Sequence, residues 1–258
     1  MAADRERMDA AAGDAALGAP DPESVTAALG FRWKLDRTQV PPQSTEPAKP
    51  PFMVKKLMEE YVWDIVALEG SPYTFVHAKT LLDGQVVPGY SESDQQQVLN
   101  QRRALRYVLE TAAARRTLDK QLTCELHARI AREEALAWGR FRDGAVGISG
   151  TKWTPPDASE LDALFARGLE AILSIAHPVE RALAYHLFGA RSQLFFDGNK
   201  RTSRAVMNFI LLREGYYYLS VPGARRDEYD AMMIDFYDTA DATAGMRFML
   251  SLYRSWDG

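Results

Sequence analysis

The residues best suited to chemistry crowd into one stretch, Gln193-Leu-Phe-Phe-Asp-Gly-Asn-Lys-Arg-Thr-Ser-Arg204. It sets charge, glycine and polar amides between two apolar helical runs. Asp197-Gly198-Asn199 is turn chemistry, because Gly tolerates φ > 0 and Asp and Asn bond their own backbone. The following run, 202–214, carries Ala205, Val206, Phe209, Ile210 and Leu212 at helical spacing and ends at Gly215, the expected residue just past a helix C-terminus. The loop therefore opens onto a helix N-terminus. Free backbone N–H groups there, with Lys200, Arg201 and Arg204, would make an anion site, and phosphate is the natural guest. The same residue types also suit an ordinary helix-to-helix turn with a solvated basic face. A P-loop is excluded, since Lys200 follows Gly198-Asn199 and no Gly-x-x-x-x-Gly-Lys spacing occurs.

What must position this stretch is mostly helix. From Phe52 on, Val54, Leu57, Met58, Tyr61, Ile65 and Leu68 form one apolar face, closed by Glu69-Gly70. A short helix is expected over 73–82, and a long one from an N-cap at Ser91 to about Ala114. Thr117 is the expected cap of the next, with Leu118, Leu122, Leu126 and Ile130 on one face. Gly139, Gly144, Gly147 and Gly150 punctuate 138–154 while Val146 and Ile148 alternate, which predicts a small β-hairpin ended by Pro155-Pro156. Ser159 would cap a helix to about Ile175. Pro178 suits the first turn of the next, running to about Leu194. Helices over 226–238 and from about Thr243 complete an all-α class with one hairpin. Residues 1–51 read as a poorly ordered arm: Ala, Asp and Gly without apolar period, then Pro41, Pro42, Pro47, Pro50 and Pro51. Phe31 and Trp33 could dock as a short anchor.

Composition bounds the function. The 258 residues suffice for one large domain, and 47% hydrophobic with 26% charged residues is ordinary for a globular chain. A net charge of −4 without a basic block argues against nucleic acid as a partner. Cys124 is the only cysteine, which fits a reducing compartment. No apolar run nears the ~20 residues that span a bilayer. The mixed acidic start is not a secretory signal. A cytoplasmic protein, or one delivered from the cytoplasm, is expected, with no membrane partner.

The 193–204 stretch resembles the signature of the Fic family, His-x-Phe-x-Asp/Glu-Gly-Asn-Gly/Lys-Arg-x-x-Arg. Phe195, Asp197, Gly198, Asn199, Arg201 and Arg204 match in register; the family's histidine is Gln193 here. The resemblance implies a Fic-type helical bundle that binds ATP with Mg²⁺ and transfers AMP to a protein hydroxyl. By the same resemblance Asp197 would hold the metal, Gly198, Asn199, Lys200, Arg201 and Arg204 the phosphates, with Arg204 on the terminal one. Arginine's planar fork suits phosphate oxygens, and carboxylate oxygen suits Mg²⁺. Phe195 would anchor the loop. Ile148-Ser-Gly-Thr-Lys-Trp-Thr-Pro-Pro156 resembles the family's flap, so that Ile148, Ser149, Gly150 and Thr151 would dock an unidentified target protein by β-addition. Leu68-Glu69-Gly70, with Thr74 and Val87-Pro88-Gly89, resembles the segment of self-inhibited members, whose glutamate blocks the second arginine. Glu69 matches that glutamate, while Ile65 departs from the Ser/Thr of that motif. The resemblance covers about 52–252.

Gln193 governs the expected activity. The family's histidine takes the proton of the attacking hydroxyl; glutamine can orient a hydroxyl but accepts no proton. Losing a general base costs typically ~10²–10⁴ in rate. His186 lies two turns earlier, ~10 Å along the helix, and is expected in the core. His177-Pro178 marks a helix start, and His77 and His127 show no ligand spacing. Lys200 is found in many Fic proteins and in the Doc branch, which transfers phosphate. The expectation is an adenylyltransferase of weakened or altered activity. The alternatives are an inactive nucleotide-binding pseudoenzyme, or a Fic-fold enzyme with a changed reaction or another phosphate-containing donor. A homodimer is left open.

Overall fold

The computed structural model describes residues 22–257. Helix α1, Pro22–Leu29, is followed by α2, Lys49–Lys56, and α3, Met58–Leu68. Two further helices are α4, Phe75–Leu82, and the long α5, Glu92–Ala113. The domain continues with α6, Lys120–Ile130, α7, Leu161–Ser174, and α8, Pro178–Ser192. It closes with α9, Asn199–Arg213, α10, Arg226–Thr239, and α11, Thr243–Ser251. No sheet forms among the described residues, so the all-α class stands.

The apolar pattern explains the centre. Every residue of α8 from Val179 to Ser192 except Arg181 is buried, as for a helix surrounded by others. Small residues let its neighbours come close. A methyl at Gly189 would sit 2.9 Å from the Ser203 Cβ on α9, and one at Gly168 of α7 would sit 2.3 Å from the Phe188 ring on α8. Helix α5 packs on α9, α3 and α6, so the α8–α9 pair is enclosed.

Side chains cap the starts of α4, α5, α6 and α8. Ser91 and Asp94 form a reciprocal capping box on α5. Pro178 occupies the first turn of α8, and Gly215 follows α9 with φ +77°. Two caps fall elsewhere than expected. Asp119, not Thr117, accepts from the Leu122 N–H at 2.7 Å. Asp157, not Ser159, accepts from the Ser159 N–H at 2.8 Å, capping a short 3₁₀ turn that leads into α7. In each case a carboxylate lies close enough to outcompete the hydroxyl for the helix start. The expected single helix 52–70 is divided at Leu57, whose φ and ψ are −107° and 21°; no Gly or Pro there marks the break.

Two larger expectations are corrected. Residues 22–51 are not a loose arm: Val25, Leu29 and Phe31 are buried, and Phe31 meets the Phe236 ring edge-on at 5.2 Å. Arg32 exchanges backbone hydrogen bonds with Ala240 and Ala242, and the Trp33 indole donates to Glu180 at 2.9 Å. The apolar contact is nonlocal, so no local period announced it. Residues 1–21, the remainder of that expected arm, lie outside the described residues. The second correction is the hairpin over 139–156, which is not formed. The segment is extended and has no backbone ladder of its own; the Arg142 side chain ties its two ends by donating to the Gly144 and Pro156 carbonyls, and further bonds go to the body. The Arg142 N–H donates to the Leu194 carbonyl, the Lys152 N–H to Asp238 at 2.9 Å, and the Trp153 indole to the Arg191 carbonyl.

Candidate functional site

Helix α8 ends at Gln193, a non-glycine residue in the left-handed region with φ 45° and ψ 58°. Such a conformation is strained and needs support. The Arg142 Nε donates to the Gln193 carbonyl at 2.6 Å. The Gln193 side chain donates to the Ala190 carbonyl at 2.7 Å and accepts from the Asn199 amide at 3.0 Å. The Asn199 amide also donates to the Phe195 carbonyl, while its oxygen accepts the Phe195 N–H. Both amide side chains therefore knit the loop. Gly198, with φ +72°, completes the turn where a side chain would crowd Ala131.

Phe195 anchors the loop by stacking on His127, ring centres 3.7 Å apart and nearly parallel. The Gly139 N–H donates to His127 Nδ1 at 3.0 Å, so Nε2 carries the proton and donates to the Asp197 carbonyl at 3.0 Å. Burial holds this ring neutral, pushing its pKa down to about 4.

Past the turn, the first-turn amides of α9 at Asn199, Lys200 and Arg201 have no intrahelical acceptor. Asn199 and Lys200 adjoin a cavity of about 360 Å³. Gln193, Asp197, Gly198, Asn199 and Lys200 line one side, Ile148 and Ser149 of the extended segment another, and Glu69 a third. Gly150 and Thr151 stand outside it: Gly150 packs near Ile234, and Thr151 donates to Asp238. Lys200 is held at the rim by Asp230 at 3.1 Å.

The two arginines lie behind the lining. Arg204 is buried, donating to Glu69 at 2.8 Å and to the Tyr229 hydroxyl at 3.0 Å. Burial opposes ionisation of Glu69, yet Arg204, with Arg201 and Lys200, leaves its carboxyl below the usual range. Burial likewise works against the Arg204 charge, but Tyr229 and Glu69 more than offset it. Arg201 pairs with Glu134 and lies 3.5 Å from Asp197. The Nε atoms of both arginines are buried without a partner. His186 is in the core, as expected, yet it touches this network. Its Nε2 accepts from the Tyr229 hydroxyl at 3.1 Å, and its Nδ1 meets Ser203 at 2.9 Å. Burial, then Arg204 and Lys200, keeps it neutral.

Local patterns could not show Glu134, Arg142, Tyr229 or the role of His127. They come from elements distant in sequence, and none sits in a motif with the loop.

The fold and site define a helical domain in which a polar turn between two buried helices opens an anion-suited helix start onto a cavity. Residues 117–211 match the model of the Fic/DOC family. It is 28% identical over 181 residues to proteins named protein adenylyltransferase Fic from Drosophila erecta and Drosophila ananassae. Those matches cover 68% of this chain and 36% of each relative, so the chain spans about a third of their length. Among solved structures, Fic-1 (residues 134–508) of C. elegans superposes with a TM-score of 0.67 at 22% identity, covering 89% of this chain and 67% of that one. A Fic domain containing signaling protein of Bacteroides thetaiotaomicron gives 0.64 at 21% identity, covering 89% and 91%. At such identity these structures speak for the fold.

Proposed function

We propose that this chain binds ATP with Mg²⁺ in the cavity beside α9 as a Fic-type protein adenylyltransferase, weakened by Gln193 and held closed by Glu69. The observation that carries this reading is the Glu69–Arg204 pair. A carboxylate from α3 lines the cavity and occupies the guanidinium that the signature would turn toward phosphate. The donor set fits in part. Free amides of the α9 first turn, Lys200 and the Asp197 carboxylate, 59% exposed, are available to phosphates and a hard cation. Arg204 becomes available once Glu69 leaves it. Among the described residues no three His, Cys, Asp or Glu converge, so Asp197 would share Mg²⁺ with phosphate oxygens. The metal would neutralise phosphate charge. A protein hydroxyl near Ile148 and Ser149 would be the acceptor.

Gln193 cannot take the acceptor's proton, and its amide is tied at both ends. That commitment favours a second reading, a nucleotide-binding module without transfer. Incubation with Mg²⁺ and ATP labelled on the α-phosphate separates the two. The test uses the native chain, Gln193→His, and each with Glu69→Gly. Label in the native chain or its Glu69→Gly form supports an altered transferase. Label only after Gln193→His supports a lapsed one that still binds nucleotide. Failure of every variant to bind ATP by calorimetry overturns both readings.

A further inference from the structure

On the opposite face of α3 from the loop lies a second cavity of about 310 Å³, which shares no lining residue with the first. Its walls are aromatic. Tyr61 stacks on Tyr218 with ring centres 4.4 Å apart, and Trp63 meets Phe75 edge-on at 5.9 Å. The Trp63 indole is fixed by a 3.0 Å bond to the Tyr73 carbonyl. Asp64 is the buried acid of this cavity, 5% exposed. It accepts from the Ser220 hydroxyl at 2.9 Å and the Gly223 N–H at 3.0 Å, and has no cationic partner within ion-pair distance among the described residues. Burial raises this carboxyl above its ordinary range despite those two donors. A buried carboxylate held only by neutral donors, in an aromatic cavity, is short of one positive charge.

Among the described residues that line the cavity, the only other charges stand at the rim. Glu60 and Arg254 face each other at 3.6 Å, both substantially exposed. Exposed pairs of this kind contribute little, so Arg254 can swing aside at small cost. It is also the one basic side chain near the opening, acting as a weak internal competitor for Asp64.

We propose that this cavity binds an organic cation, an ammonium or guanidinium head on an aliphatic arm, with the head on Asp64 and the arm between the Tyr61–Tyr218 and Trp63–Phe75 rings. The inference stands independently of the nucleotide reading. Anions are disfavoured by Asp64 and Glu60, and a bare metal ion would leave the aromatic walls unused.

The test is a titration of the full chain at constant ionic strength, followed by calorimetry and by the Trp63 indole N–H resonance. The probes are Nα-acetyl-argininamide, Nα-acetyl-lysinamide and putrescine, with sodium chloride as control. Saturable one-site binding that moves the Trp63 resonance is expected for at least one organic cation and not for sodium. Tighter binding of the capped amino acids points to a peptide-borne side chain; tighter binding of putrescine points to a free amine. Asp64→Asn should weaken binding about tenfold or more. Trp63→Leu should weaken it about threefold, and Arg254→Ala should tighten it. The surface changes Glu60→Gln and Arg254→Ala keep the test open if Asp64→Asn melts early, with Glu60→Gln expected to weaken binding. Absence of saturable binding in both the native chain and Arg254→Ala overturns the proposal. So does affinity unchanged in folded Asp64→Asn and Trp63→Leu.

Discussion

Arg201 and Arg204 stand three residues apart on α9, both buried and both facing a carboxylate, yet the two pairs are built differently. Glu134, the partner of Arg201, is braced. It accepts from Asn100 at 2.8 Å and from Gln97, both on α5, and the Asn100 amide also holds the Arg132 carbonyl. Glu69 caps the C-terminus of α3, lines the cavity, and among the described residues has Arg204 as its one side-chain hydrogen-bond partner. One arginine is fastened into the frame; the other is paired with a cavity-lining carboxylate that, on the proposed reading, must leave before Arg204 can meet phosphate. Sequence types alone would give both the same phosphate role, and the surroundings separate them.

The largest effect should come from the braced pair. Glu134→Ala would leave the buried Arg201 guanidinium only its longer contact with Asp197 and would remove an acceptor from two α5 amides. A loss of about 3–5 kcal/mol is expected from denaturant unfolding, as for a broken buried pair. Glu69→Ala should cost distinctly less, because Arg204 keeps Tyr229 and gains access to water in the cavity. Equal losses would erase the distinction.

The same frame predicts a pH dependence. His127 fixes the Asp197 carbonyl on the Arg201 side of the turn. Unfolded, a histidine titrates near 6.5; folded, this one is pushed down to about 4. The folded chain therefore binds fewer protons in that window. Its stability should fall as pH drops from about 6.5 toward 4, by up to about 3 kcal/mol, with His186 adding to the slope. His127→Gln should make thermal melts less pH-dependent across that window. An unchanged slope would remove His127 as a brace.

Much of this was legible in the chain. Asp197-Gly198-Asn199, Ser91, Pro178 and Gly215 act through neighbours a few residues away, so residue type suffices. Glu69 was singled out only by the family resemblance, since its partner Arg204 stands 135 positions away. Glu134 and Arg142 were not, since each is defined by a partner 67 and 51 positions distant. The hairpin failed for a related reason. Alternation at Val146 and Ile148 shows that the chain is extended, while its hydrogen-bond partners proved to be α8 and α10. Phe31 and Trp33 stood out as a possible anchor, but their partners Phe236 and Glu180 lie far along the chain, so no local period could decide that they dock.

Removing the Glu69 charge should show chiefly in binding. The Glu69 carboxyl is held below its ordinary 4.5, so the pair contributes above that pH and its contribution is lost as pH falls through the folded value. Glu69→Gln should remove this acid-limb contribution. It should also tighten ATP about tenfold, an effect of about 1.4 kcal/mol, since one charge no longer competes for Arg204. Calorimetric titration at pH 7 checks this, and unchanged affinity would leave Glu69 as a structural partner only.

The smallest effect tests whether the segment facing the loop belongs to the frame or to the movable side. Asp238 accepts from Thr151 and from the Lys152 N–H, tying residues 151–152 to α10. These groups are exposed, so Asp238→Ala should change stability by no more than about 0.5 kcal/mol. The Trp153 ring, stacked on Arg191 at 3.6 Å, holds the next residue whatever Asp238 does. Hydrogen exchange should therefore quicken at Lys152 and stay slow through the buried turns of α8. Faster exchange confined to that amide would mark a segment latched at one point and hinged on Trp153. Exchange unchanged at Lys152 would place the segment with Arg201 and Glu134, as fixed structure.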